Sequence, residues 1–272
     1  MIRAAAGVVL LALLAVLAPA SVVQGKTVPE WTSERPSRPE LPSRPELPRV
    51  ARPLAGRTVV IDPGHQLGNH NFPRRTNRQV PAGGFTKPCN TTGTATNGGY
   101  PEATFVWQVS RLVRARLVEL GAKVVMTRTS NRQDRWGPCV DARGRAGNRI
   151  GADLKVSIHA DGSYVAGARG FHVIAPANRA PWTADIHRPS LRLARVLRAD
   201  LRAAGFPLAA YIAGGDGLDV RSDLGTLNLS DIPTAMVELG NMRGADARVM
   251  TTPRGRGRYA RGLVAGITSF LR

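Results

Sequence analysis

Three short apolar runs in this 272-residue chain each end on a polar, reactive residue, and that pattern constrains the fold more than any other feature. Residues 58–62 (TVVID) run into Pro63-Gly64-His65. Residues 154–159 (LKVSIH) run into Ala160-Asp161, and residues 234–238 (TAMVE) run into Leu239-Gly240-Asn241. Runs this short, rich in β-branched residues and closed by Gly or Pro, are predicted strands. Helical periodicity lies between them. In residues 103–120, Phe105, Val106, Val109, Leu112, Val113, Leu117 and Leu120 fall on one helical face, and Gly121 ends the run. Residues 140–150, 190–204 and 254–271 are further helices, and 123–127 and 170–174 further strands. Residues 66–101, rich in Gly, Asn, Thr and Pro, read as a long loop. Strands alternating with helices predict an α/β fold, a single three-layer α/β domain with a mostly parallel sheet flanked by helices, over residues 53–272.

What precedes that domain is of two kinds. Residues 1–20 have the form of a cleavable signal peptide, with Arg3, an apolar stretch over residues 7–17 and Ala18-Pro19-Ala20 ahead of a cut after Ala20. The apolar stretch is shorter than the ~20 residues of a membrane span, so no stable span is expected. Residues 21–52 form a Pro-rich linker in which Ser37-Arg38-Pro39-Glu40-Leu41-Pro42 is repeated at once as Ser43-Arg44-Pro45-Glu46-Leu47-Pro48. Closely spaced prolines remove backbone donors and favour extended polyproline structure. Export places the protein in the periplasm, the cell wall or outside the cell, and there the two cysteines, Cys89 and Cys139, are expected to pair. The formal charge is +19, and loss of residues 1–20 removes Arg3 alone and leaves +18. Outside the cytoplasm the matching polyanion is an anionic cell-wall polymer, not nucleic acid.

In open α/β sheets ligands bind beyond the carboxyl ends of the strands. Parallel strands bring His65, His159 and Glu238 to one such rim. Two imidazoles and a carboxylate suit a metal such as zinc, with a position left for water. No acidic residue occurs between Asp62 and Glu102. Glu102 then opens the apolar-faced helix, where a carboxylate is also favoured by the helix dipole. At this point ligand and ordinary helix N-terminal acid stand level as readings of Glu102. His70, His172 and His187 read as packed or surface histidines, and Asp62 as a structural carboxylate beside His65.

TVVIDPGH (58–65), LKVSIHAD (154–161) and IPTAMVELGN (232–241), with RGRAGN (143–148) ahead of the second, together resemble the zinc-dependent N-acetylmuramoyl-L-alanine amidases of the amidase-3 type. The resemblance spans residues 57–272. It implies Zn2+ held by His65, Glu102 and His159, and Glu238 as the catalytic carboxylate. It implies peptidoglycan or muropeptides as substrate, cut between N-acetylmuramic acid and L-alanine. The segment between the first two ligands is about twenty residues longer than is usual in the family, and it contains Cys89. The competing readings are a catalytically idle peptidoglycan-binding relative and a zinc peptidase acting within the stem peptide. No added wall-binding module is evident, so attachment to the wall falls to the net positive charge. Cosedimentation with purified wall material should therefore weaken steeply as salt is raised from 50 to about 500 mM. Salt-independent binding would discount charge as the anchor.

Overall fold

The computed structural model describes residues 52–272. The expected signal peptide, and the Pro-rich segment up to residue 51, lie outside the described residues. In chain order the elements are β1 (Thr58–Pro63), α1 (Pro73–Thr76), β2 (Gln79–Pro81), β3 (Thr86–Pro88), α2 (Glu102–Glu119), β4 (Lys123–Met126), α3 (Val140–Arg145) and β5 (Leu154–Asp161). They continue with β6 (His172–Pro176), α4 (His187–Ala203), β7 (Leu218–Arg221), α5 (Gly225–Asn228), β8 (Thr234–Asn241), α6 (Ala247–Met250) and α7 (Pro253–Leu271). Six strands make one sheet in the order β4-β1-β5-β8-β6-β7, parallel except where β6 meets β8. The expected three-layer α/β architecture with a mostly parallel sheet is the observed one.

The two-residue period of a strand divides the sheet's faces by chemistry. On one face Val59 and Ile61 of β1, Leu154, Val156 and Ile158 of β5, and Ala235 and Val237 of β8 are fully buried. They pack under α2, α4 and α7 with Phe105, Val109, Val113, Leu197, Leu263 and Ile267 in one core cluster. The alternate positions point the other way. They are Asp62 of β1, Lys155, Ser157 and His159 of β5, His172 of β6, and Glu238 of β8. α3, α5 and the 66–101 segment flank that second face, where the apolar clusters are small (Val60, Ala152 and Ile232; Ile174, Leu227 and Met236). One face of the sheet thus supplies the core and the other carries the polar chemistry.

Four expectations need correction. The 66–101 segment is not structureless: β2 and β3 pair as an antiparallel hairpin. Each strand is three residues long, contains proline and lacks apolar alternation, so periodicity gives no sign of it. The helix over 140–150 stops at Arg145, because the chain turns at Gly147 with φ +96°. β7 was not anticipated, since four mixed residues on an edge strand paired on one side leave little pattern. Leu112 is exposed, so the buried stripe of α2 is Phe105, Val106, Val109, Val113 and Leu117. Among the described residues no helix is long and apolar enough to cross a membrane.

Cys89 and Cys139 are bonded, closing a separation of 50 residues. Cys139 occupies the position just before α3, and Val140 N donates to Cys89 O at 2.7 Å. The hairpin is therefore anchored to the helix that carries Arg143. Replacing Cys89 with Ser should lower unfolding stability by about 2–4 kcal/mol, mainly by freeing the unfolded chain. Thermal or denaturant unfolding checks this, and an unchanged midpoint would count against it.

Candidate active site

His65, Glu102 and His159 converge, and one potential ligand atom from each lies within 4.8 Å of the others. Each arrives by a different device. β1 ends at Pro63, and the chain turns through Gly64 to His65, whose φ is +53°. A left-handed backbone at a non-glycine residue is strained, by about 1–3 kcal/mol, and persists only where the surroundings enforce it. Here Arg143 Nη2 donates to His65 O at 2.7 Å, Arg143 Nη1 to Pro63 O at 2.6 Å, and Arg128 to Pro63 O at 3.0 Å and Gly64 O at 3.2 Å. Gly64 is required because a Cβ there would collide with the His159 ring. His159 stands on β5, directly beside Glu238 of β8 in register. Glu102 opens α2, and its buried carboxylate is fixed by backbone donors, Thr94 N to Oε2 at 2.9 Å and Ala160 N to Oε1 at 3.1 Å.

Glu102 Oε1 faces both rings, 3.1 Å from His65 Nε2 and 3.0 Å from His159 Nδ1. Tetrahedral ligation at about 2.0–2.2 Å separates donor atoms by roughly 3.3–3.6 Å, so a small outward relaxation of these side chains would admit a zinc-sized ion. The tautomer of His65 is also set. Its Nδ1 lies 3.0 Å from Thr91 O, to which it donates, so Nε2 is the nitrogen turned to the cluster; there it donates to Glu102, and on losing that proton it would offer its lone pair to an ion. Burial works to raise the Glu102 carboxyl, but the charge of His65 and hydrogen bonds from both histidines hold it well below the usual range. Burial lowers His159, with only partial relief from Glu102, whereas at His65 the attraction of Glu102 overcomes burial and raises the ring. A permanent carboxylate between two imidazoles is the chemistry of a divalent-cation site.

Glu238 is different. Burial, then the negative charges of Glu102 and Asp161, push its carboxyl well above the ordinary range, and its Oε2 is buried without a hydrogen-bond partner. Two carboxyls of one cavity, one at the start of α2 and one on β8, are thus tuned in opposite directions, the arrangement that separates a charge-holder from a proton carrier. His172, the antiparallel partner of Glu238, is buried, with Nδ1 unpartnered. His187 Nδ1 donates to Pro176 O at 2.9 Å and, like exposed His70, lies apart from the cluster. His65, Glu102, His159 and Glu238 open onto a cavity of about 360 Å³ that includes Lys87 of the hairpin, Thr94, Gly162 and Thr226.

Asp62 does not touch the cluster. It is fully buried and accepts from Arg143 Nη1 at 2.5 Å, Thr127 Oγ1 at 2.5 Å and Ser157 Oγ at 2.6 Å. Burial alone would raise its carboxyl; Arg143 and the two hydroxyls outweigh that and hold it far below the usual range. Arg128 escaped the sequence reading, although an arginine directly after a strand, at the same rim as the others, was a usable signal. Its Nη2 donates to Ala103 O at 2.8 Å as well as to Gly64 O, tying the turn of His65 to the first turn of α2 that carries Glu102. Buried Lys155 donates to the carbonyls of Arg143 and Gly144 at the end of α3, and burial depresses its ammonium to about 7.

The sequence profile of the N-acetylmuramoyl-L-alanine amidases of the amidase-3 type matches residues 59–269. The chain belongs to this family. It is 45% identical over 220 residues to an N-acetylmuramoyl-L-alanine amidase of Mycobacterium tuberculosis, covering 80% of this chain and 88% of that relative. The fold matches the apo form of the amidase Ami1 from Mycobacterium abscessus with a TM-score of 0.74 at 46% identity, over 80% of this chain and all of that one. Ami1 from Mycobacterium smegmatis matches with a TM-score of 0.74 at 42% identity, over 80% and 98%. The residues that supply the cluster all fall within the matched span.

Asp62→Asn should destabilise this amidase by about 3–5 kcal/mol at pH 7, because it leaves a buried guanidinium without its counter-charge. The sign with pH follows from a carboxyl held below its free value. Its contribution is complete above the unfolded pKa, about 4, and is lost as pH falls toward the folded one. The gap in unfolding stability between wild type and Asp62→Asn should therefore be full at pH 7 and narrow only below about pH 4. A gap that widens in acid would contradict this account.

Proposed function

We propose that this amidase is a zinc enzyme in which His65, Glu102 and His159 hold the ion and Glu238 moves the proton. The reaction is hydrolysis of the amide between N-acetylmuramic acid and L-alanine in peptidoglycan. The observation that carries the assignment is the position of Glu238, beside His159 in register yet outside the cluster of potential ligand atoms. Zinc, when bound, supplies Lewis-acid polarisation of the scissile carbonyl and makes a water acidic enough to act near neutral pH.

The remaining work falls to this chain's side chains. Glu102, permanently ionised and fixed by two backbone donors, keeps both imidazoles facing inward. Glu238 accepts the proton of the attacking water on its unpartnered Oε2 and delivers it to the departing L-alanine nitrogen. Its raised proton affinity suits the first step, since a more basic carboxylate takes the water's proton more readily and then holds it until the leaving nitrogen accepts it. With a divalent cation held by His65, Glu102 and His159, the negative charge that Glu102 presents to Glu238 would be offset, favouring the ionised form of Glu238 for the first step. The backbone ties of Arg143 and Arg128 hold His65 in place throughout.

We also infer export, with residues 1–20 as a cleavable signal and residues 21–52 as a spacer. A disulfide between Cys89 and Cys139 supports an oxidising location. Attachment to anionic wall polymers is supported by the exposed Arg111, Arg114, Arg192, Arg195, Arg202 and Arg261 on the outer faces of α2, α4 and α7.

Glu238→Ala should keep the metal content of wild type and lose turnover by a factor of roughly 10²–10⁴, measured as free stem peptides released from muropeptides by mass spectrometry. Parallel loss of zinc would make Glu238 a ligand and overturn its assignment as proton carrier. Shortened stems in place of free ones would make the enzyme a peptidase.

A further inference from the structure

A second cavity, of about 610 Å³, borders the catalytic one and has no part in the chemistry above. The two are consecutive along the chain. Asp161 and Gly162 line the first, and residues 163–169 wrap the second. Asn241 ends the strand that carries Glu238 and Arg243 follows it, and Asn97 comes from the turn just ahead of Glu102. Each wall of the second cavity is thus an extension of a segment that carries a site residue, which sets the cavity next to the catalytic one along the chain. The walls are braced. Asn241 Nδ2 donates to Ser163 O and Ala168 O, both at 3.0 Å, and Met242 N donates to Asp161 O at 2.8 Å.

Its lining is unusual for this protein. Tyr164 is 80% exposed and Val165 63%, more than any other large hydrophobic side chain among the described residues. The Arg243 guanidinium lies 4.8 Å from the Tyr164 ring centroid. Arg243 Nε is buried without a hydrogen-bond partner, and Nη1 reaches Asn97 Oδ1 only at 3.5 Å. No acidic side chain lines the cavity. Some arginines, such as Arg132 with Asp134 and Arg198 with Asp216, pair with a carboxylate; among the described residues Arg243 and Arg169, like the exposed Arg111, Arg114 and Arg195, do not.

Unpaired guanidinium groups beside an open aromatic ring fit a ligand with carboxylates on a partly apolar backbone, because the guanidinium fork matches a carboxylate's two oxygens. The substrate has two arms leading from the bond that is cut. On the glycan arm the lactyl carboxyl is consumed in the scissile amide, which leaves those sugars uncharged. The stem peptide beyond L-alanine carries the free carboxylates. We propose that this cavity is a subsite for the stem peptide, with Arg243 and Arg169 binding its carboxylates and Tyr164 packing on its aliphatic part. The amidase would then be selective for stems longer than one residue with free carboxyl groups. This rests on the amidase reaction, whose occurrence is read separately by cleavage of the shortest substrate.

The test compares kcat/KM for N-acetylmuramoyl-L-alanine, for an N-acetylmuramoyl-tripeptide, and for that tripeptide with its carboxyl groups amidated. Wild type should favour the free-acid tripeptide over the single-residue substrate by about tenfold or more, as expected for charge-assisted hydrogen bonds, and amidation should remove most of that preference. Arg243→Gln and Arg169→Gln should each cut the preference several-fold, chiefly through KM. Arg149→Gln, an exposed position that lines neither cavity, should leave it at the wild-type value. The Arg169 side chain is exposed, so that variant decides the matter if Arg243→Gln does not fold. An unchanged preference in Arg169→Gln, or an equal loss on both substrates, overturns the proposal. A loss that grows with the number of sugars and not with the stem overturns it too, and assigns the cavity to the glycan.

Discussion

The buried pair of Asp62 and Arg143 is the contact on which the rest of the site depends. Taking two opposite charges out of water costs more than their attraction returns unless every remaining donor and acceptor is occupied. Here they are. The carboxylate of Asp62 is shared among a guanidinium and two hydroxyls, and the spare donors of Arg143 end on the carbonyls of Pro63, His65 and Pro138. The pair therefore does more than neutralise itself. It converts the end of a core strand into a rigid frame for a strained turn, and the strained residue in that turn is the first histidine of the cluster.

Arg128 extends the same frame to the helix that brings Glu102, so two of the three cluster residues are positioned by arginines that never touch the cluster. The third, His159, needs no such brace because it lies within β5, hydrogen-bonded on both sides by β1 and β8. The electrostatics follow from placement. Glu102 sits between two imidazoles and against two backbone amides, and is held ionised. Glu238 sits on β8 with an unpartnered oxygen and two negative neighbours, and is held toward the protonated form. The same functional group serves two purposes because its surroundings differ.

Much of this was legible in the chain. The strands ending on His65, His159 and Glu238 could be read because fully buried strands are short, β-branched and closed by turn residues, and the parallel sheet followed from alternation with amphipathic helices. Glu102 was legible by the absence of competitors, since no acid lies between it and Asp62. The hairpin of β2 and β3 was not, because its polar, proline-containing strands carry no periodicity and its stability comes from the disulfide and from contacts distant in sequence. Lys87 shows this. It reaches across the cavity to Asp223 O at 2.8 Å, a partner no local pattern could announce.

Sequence alone determined which face of each strand would be apolar, that reactive groups would gather at one rim, and that both cysteines were available to pair. It determined these because hydrophobic periodicity and residue chemistry are local properties. Tertiary structure decided how the groups work: which carboxyl is ionised, which arginines hold the His65 turn, and that a second, cation-lined cavity adjoins the first. Charge state and strain depend on burial and on partners dozens of residues away, and these exist only once the sheet has assembled.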